Sequence, residues 1–89
     1  MAPLSTSRAA ATYGTTLTFE TLTDEAALRV RPREDTLMRV VAGVVLLRFD
    51  GEERVLDAGD EALVPAGFHH TMCALTGEAR IVMGFRPAQ

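Results

Sequence analysis

Hydrophobic and polar residues alternate with a period of two along most of this chain, in short runs broken by turn residues. Across residues 15–22, Leu17 and Phe19 fall on one side and Thr16, Thr18 and Glu20 on the other. Successive side chains of a strand point to opposite faces, so this run predicts a β-strand rich in β-branched Thr. Thr23-Asp24-Glu25 breaks the run. A second strand follows over 26–31, with Leu28 and Val30 opposite Ala27, Arg29 and Arg31. Pro32-Arg33-Glu34-Asp35 reads as a loop, and Gly43 separates strands over 36–42 and 44–49. Asp50-Gly51 is a hairpin signal, because a type I′ turn needs positive φ at both central residues. Strands over 53–56, 60–64, 68–75 and 79–86 complete the set, and Pro87 ends the last. No stretch carries a helical stripe. Eight short strands with closely spaced turns predict an all-β sandwich or barrel.

Two runs depart from simple alternation. Residues 37–47 are apolar on both faces, interrupted chiefly by Arg39 and Gly43. A sandwich strand with one wet face should alternate, so the outer side of this run is expected to meet a second subunit, with cover by the N-terminal arm as the alternative. In 68–75, Phe68, His70, Met72 and Ala74 share one face, and His69, Thr71 and Cys73 the other. These are the only two imidazoles in the chain, and they point opposite ways.

Length and composition narrow the picture. The chain has 89 residues, and one this short buries only about 60% of its unfolded surface, which favours a homodimer. Residues 1–14 are small, Ala-rich and without period, and read as a flexible N-terminal arm; 15–89 form a single domain. The net charge is −3 and all nine cations are scattered arginines, a distribution that argues against nucleic-acid binding. The single Cys73 excludes an intramolecular disulfide and a Cys-rich zinc site. No run of 18 apolar residues suggests a membrane span, and no secretory leader is read, so a cytoplasmic location is expected.

The segment 59–74, GDEALVPAGFHHTMCA, resembles the second conserved motif of the cupin family, G-x5-P-x-G-x2-H-x3-N. Gly59, Pro65, Gly67 and His70 match at the family's spacing, while Ala74 stands where the family has Asn. The resemblance implies a double-stranded β-helix, or jelly-roll, barrel over nearly the whole chain. It also implies a divalent metal held by two His and a Glu of a first motif, G-x5-H-x-H-x3-4-E-x6-G, together with His70. This sequence departs there. With Gly43 as the closing Gly, Thr36 takes the Glu position, and the two His positions fall on Val30 and Pro32 or on Arg29 and Arg31. Guanidinium groups stay protonated and repel a cation. Glu34 and Asp35 offer oxygens only after a register shift. No tightly held metal or other cofactor is therefore expected; if one were present, His70 would be its imidazole ligand.

His70 is left as the candidate catalytic or anchoring residue, since an imidazole exchanges protons near neutral pH. Arg29, Arg31 and Arg39 are candidates for pairing with a carboxylate or phosphate of a ligand. By alternation, Phe68, Met72, Met38, Val45 and Leu47, with Val40, would line an apolar interior. Such an interior serves equally as a small-molecule site or as a solid core. The reading carried forward is a barrel that binds a small molecule without a tightly held metal. Two alternatives stay open: a metal-free isomerase, epimerase or lyase with His70 as acid/base, and a metal-dependent oxygenase-type barrel.

Overall fold

The computed structural model describes residues 17–88. They form eight strands: β1 (Leu17–Thr23), β2 (Ala27–Val30), β3 (Glu34–Ala42), β4 (Val45–Phe49), β5 (Glu52–Leu56), β6 (Glu61–Val64), β7 (His69–Ala74) and β8 (Glu78–Pro87). The N-terminal arm expected over residues 1–14 lies outside the described residues. The strands make two four-stranded sheets, ordered β1-β8-β3-β6 and β2-β7-β4-β5, and every neighbouring pair is antiparallel. Only β4 and β5 are joined by a hairpin; the other pairings bring together segments distant in sequence. This is the strand order of a jelly roll, two sheets built from Greek keys.

Local chemistry sets the turns. Asp50, at φ 53°, is the one described non-glycine residue with positive φ, and it begins the β4–β5 hairpin as the Asp-Gly pair predicts. The β6–β7 turn is held by Phe68 N–H donating to the Pro65 carbonyl at 3.3 Å. That turn leaves Phe68 outside β7, so the strand begins at His69 rather than at Phe68. Glu34 and Asp35 belong to β3 rather than to a loop, because they pair with Pro87 and Arg86 of a longer β8. β3 also carries an irregularity between Val40 and Ala42, which leaves Val41 out of the register with β8; Val41 is 48% exposed.

The core lies between the sheets. Met38, Val40, Ile81 and Met83 of the first sheet meet Val45, Leu47, Leu56 and Met72 of the second. Truncating a fully buried residue such as Leu47 to Ala in a core of this kind costs about 2–5 kcal/mol. The apolar side of β1 and β2 does not face this core. Phe19 is 65% and Leu28 70% exposed. Their polar neighbours, Thr18, Glu20 and Arg29, turn inward instead, at one end of the barrel, and line a cavity there. Among the described residues no helix is long and apolar enough to cross a membrane.

Candidate functional site

The inward polar residues converge on His70. Antiparallel pairing of β2 with β7 sets Arg29 directly opposite His70, and pairing of β4 with β7 sets Phe49 on its other side. Arg29 and Glu20 then close the gap between the two sheets, Arg29 Nη1 lying 2.6 Å from Glu20 Oε2. Both side chains are about one-third exposed, at 28% and 34%. Glu20 Oε2 is buried yet receives no well-directed hydrogen bond, so the contact is an ion pair held by charge. Arg31, two residues beyond Arg29, lies over the Phe85 ring at 3.9 Å and reaches Glu34 Oε1 at 3.2 Å.

These groups border a half-open cavity of about 450 Å³, within the range common for small-molecule sites. Thr18, Glu20, Arg29, Val30, Arg31, Thr36, His70, Met83 and Phe85 line it. Its rim is tied down by three contacts. Gly67 N–H donates to the Arg31 carbonyl at 2.9 Å. Ala66 N–H donates to Asp35 Oδ1 at 2.8 Å, and Arg86 Nε lies 3.4 Å from Asp35 Oδ2. Asp35 thus joins the β6–β7 turn to β3 and β8.

His70 is only 3% exposed, and its Nδ1 is buried without a hydrogen bond of good geometry. Burial holds its pKa below the ordinary 6.5, the Arg29 charge adds to the effect, and a backbone hydrogen bond with Phe68 opposes both. The imidazole is therefore neutral at neutral pH, beside a permanent cation. His69 sits on the opposite face of β7 and lines a shallower hollow with Leu28, Arg48 and Glu53, which His70 also borders.

The residues anticipated from sequence divide into three groups. His70, Arg29 and Arg31 meet at the cavity. Met38, Val45, Leu47 and Met72, all 1% exposed or less, fill the barrel and form its core, as Val40 does. Closing the two sheets leaves them no free surface, so they support the cavity from below. Phe68 and Arg39 do not line it. Phe68 is 38% exposed and packs edge-on against Phe49, its ring centroid 6.1 Å away. Arg39 alternates with the inward Met38 and Val40, which places it on the outer side of β3. Glu20, Thr18, Thr36, Met83 and Phe85 line the cavity without having been anticipated. The signal for the first two was the polar side of β1, where Glu20 shares a face with Thr16 and Thr18.

The motif resemblance implies a metal, so the donor set around His70 can be tested against one. Among the described residues no group of three or more His, Cys, Asp or Glu side chains converges. The carboxylate that lines the cavity, Glu20, is engaged by Arg29, and the position opposite His70 on β2 holds a guanidinium. These residues do not fit a tightly bound divalent ion, which needs three or four converging donors.

Two antiparallel sheets ordered as a jelly roll, with a polar cavity at one end around the histidine of a Gly-Pro-Gly-His motif, define a class of β-barrel. Solved structures assign its fold. The structure superposes on BH2720 from Bacillus halodurans with a TM-score of 0.74 at 20% identity, covering 82% of this chain and 62% of that one. A cupin-2 domain containing protein from Shewanella frigidimarina gives 0.70 at 21% identity, covering 80% and 68%. KdgF from Halomonas sp. gives 0.69 at 22% identity, covering 86% and 74%. The chain thus has the cupin fold, and it spans less than two-thirds of the length of BH2720. No protein-family profile and no curated protein sequence matches it.

Proposed function

We propose that this protein binds a small molecule in the cavity beside His70, and does so without a tightly held metal. One observation carries the reading: the buried imidazole of His70, whose Nδ1 makes no hydrogen bond of good geometry, borders the cavity. A buried polar group left wholly unpaired costs about 1–3 kcal/mol, and a ligand supplying a well-directed hydrogen bond recovers part of such a cost. The guanidinium of Arg29 in place of a metal-ligand side chain supports the metal-free part of the reading. A cytoplasmic setting suits the one free thiol, Cys73. A homodimer suits the exposed apolar side chains Phe19, Val41 and Leu63 on the outer face of the β1-β8-β3-β6 sheet.

A second reading has its own support. A neutral imidazole at the cavity is free to accept a proton from a bound ligand, the step a metal-free isomerase, epimerase or lyase would need of His70 as base.

Thermal-shift screening of a fragment library against the wild type, His70→Ala and His69→Ala tests the main reading. Fragments should stabilise the wild type and His69→Ala but not His70→Ala. Fragments that act on His70→Ala as on the wild type would overturn it. Metal analysis of protein purified without a His tag should show no stoichiometric metal; one equivalent of iron, manganese, nickel or zinc would overturn the metal-free reading.

A further inference from the structure

We propose that the cavity accepts a small organic acid whose carboxylate takes the place of Glu20 on Arg29. The inference rests on the cavity being a ligand site, and adds the chemical class of the ligand and the way it enters. Two guanidiniums line the cavity and each already meets a carboxylate, Arg29 that of Glu20 and Arg31 that of Glu34, so an anion enters by exchange rather than at a free charge. The Glu20 carboxylate belongs to a strand of the other sheet and meets Arg29 as an ion pair, not as a well-directed hydrogen bond. Glu20 is one-third exposed and can turn to water when displaced.

The exchange is chemically even-handed for Arg29, which trades one carboxylate for another. A ligand carboxylate free to orient can present both oxygens to the guanidinium fork, a geometry the Glu20 contact lacks. The same ligand meets a second polar group in the imidazole of His70, which pairs opposite Arg29 across the β2–β7 ladder and borders the same cavity. A cationic ligand would compete with Arg29 for Glu20 and would face Arg31 as well. An uncharged ligand would leave the Arg29–Glu20 pair in place and gain His70 alone. Val30, Met83 and Phe85 supply the apolar wall for the carbon skeleton, and about 450 Å³ limits it to a small acid.

The probes are lactate and benzoate, with lactamide and benzamide as uncharged counterparts, followed through the imidazole NMR resonances of His70. The acids should shift those resonances saturably and bind more tightly than the amides. Glu20→Gln should tighten the acids about two- to fivefold, the strength of a partly exposed ion pair, and leave the amides unchanged. Arg29→Gln should weaken the acids by about tenfold or more, as expected for loss of a charged hydrogen bond. Arg29→Lys keeps the charge and should lose less than Arg29→Gln; each variant's amide spectrum checks that it is folded. Amides that bind as well as acids, or acids weakened by Glu20→Gln, would overturn the exchange while the small-molecule reading stands. Failure of every probe, charged or neutral, to move His70 would overturn both.

Discussion

A methyl group added at Gly43 should destabilise this fold far more than one added at Gly67, although the two backbones are nearly alike. Both glycines have positive φ, +84° and +86°. An L-residue in that region costs roughly 1–2 kcal/mol. At Gly67 nothing lies within 4 Å of the new Cβ, so that cost is the whole effect. At Gly43 the Cβ would stand 2.8 Å from the Glu78 carbonyl oxygen, 2.9 Å from Ala79 Cβ and 2.9 Å from Thr76 Oγ1. None of these can yield freely. Thr76 Oγ1 donates to the Glu78 carbonyl at 2.7 Å and accepts from Val44 N–H at 3.2 Å. Ala79 is buried and sits opposite Leu22 at the β1–β8 pairing. Forced overpacking adds about 1–3 kcal/mol, for a total of roughly 2–5 kcal/mol at Gly43. A domain of this size has only about 4–13 kcal/mol of stability. With about 4–8 °C per kcal/mol, Gly43→Ala should melt roughly 5–20 °C below Gly67→Ala. Thermal melts followed by circular dichroism, with urea titrations at fixed temperature, measure the difference. Two variants that melt within a few degrees of each other would show that the β3–β4 turn is not packed against Thr76–Ala79 as described.

NMR titration should place the His70 pKa below 6.5. The unfolded chain then takes up its proton first, so stability should fall as pH drops below 6.5 and level off beneath the folded-state value. His70→Gln should remove that part of the pH dependence, and an unchanged pH–stability curve would refute it. Asp35→Ala should cost about 1–3 kcal/mol by stranding the Ala66 N–H, and hydrogen exchange should speed up at Ala66; Asp35→Asn, which keeps an acceptor oxygen, should cost less. Light scattering at micromolar concentration should give a dimer mass for the wild type and a monomer for Phe19→Glu. A monomeric wild type would refute the assignment of that outer face.

The residues by themselves determined where this chain turns and which way its strands face. Asp50-Gly51 and Pro65-Ala66-Gly67 prefer particular φ values whatever surrounds them, so these turns were legible locally. Alternation then fixed that His70 and His69 point apart, because a strand repeats every two residues regardless of its partners. Tertiary structure decided everything that depends on which strands meet. Nothing near Glu20 in sequence indicates Arg29; they touch because β1 and β2 border different sheets that close upon each other at that end. Glu34 and Asp35 look like a loop, and become strand only because a long β8 offers them hydrogen-bond partners. Met38, Val45, Leu47 and Met72 are apolar in sequence whether they line a cavity or fill a core. The separation of the two sheets settled that they fill it. The same closure left the polar ends of β1 and β2 around the one buried imidazole. Periodicity is a property of a single strand, whereas a site is made by registers and distances between strands far apart in the chain.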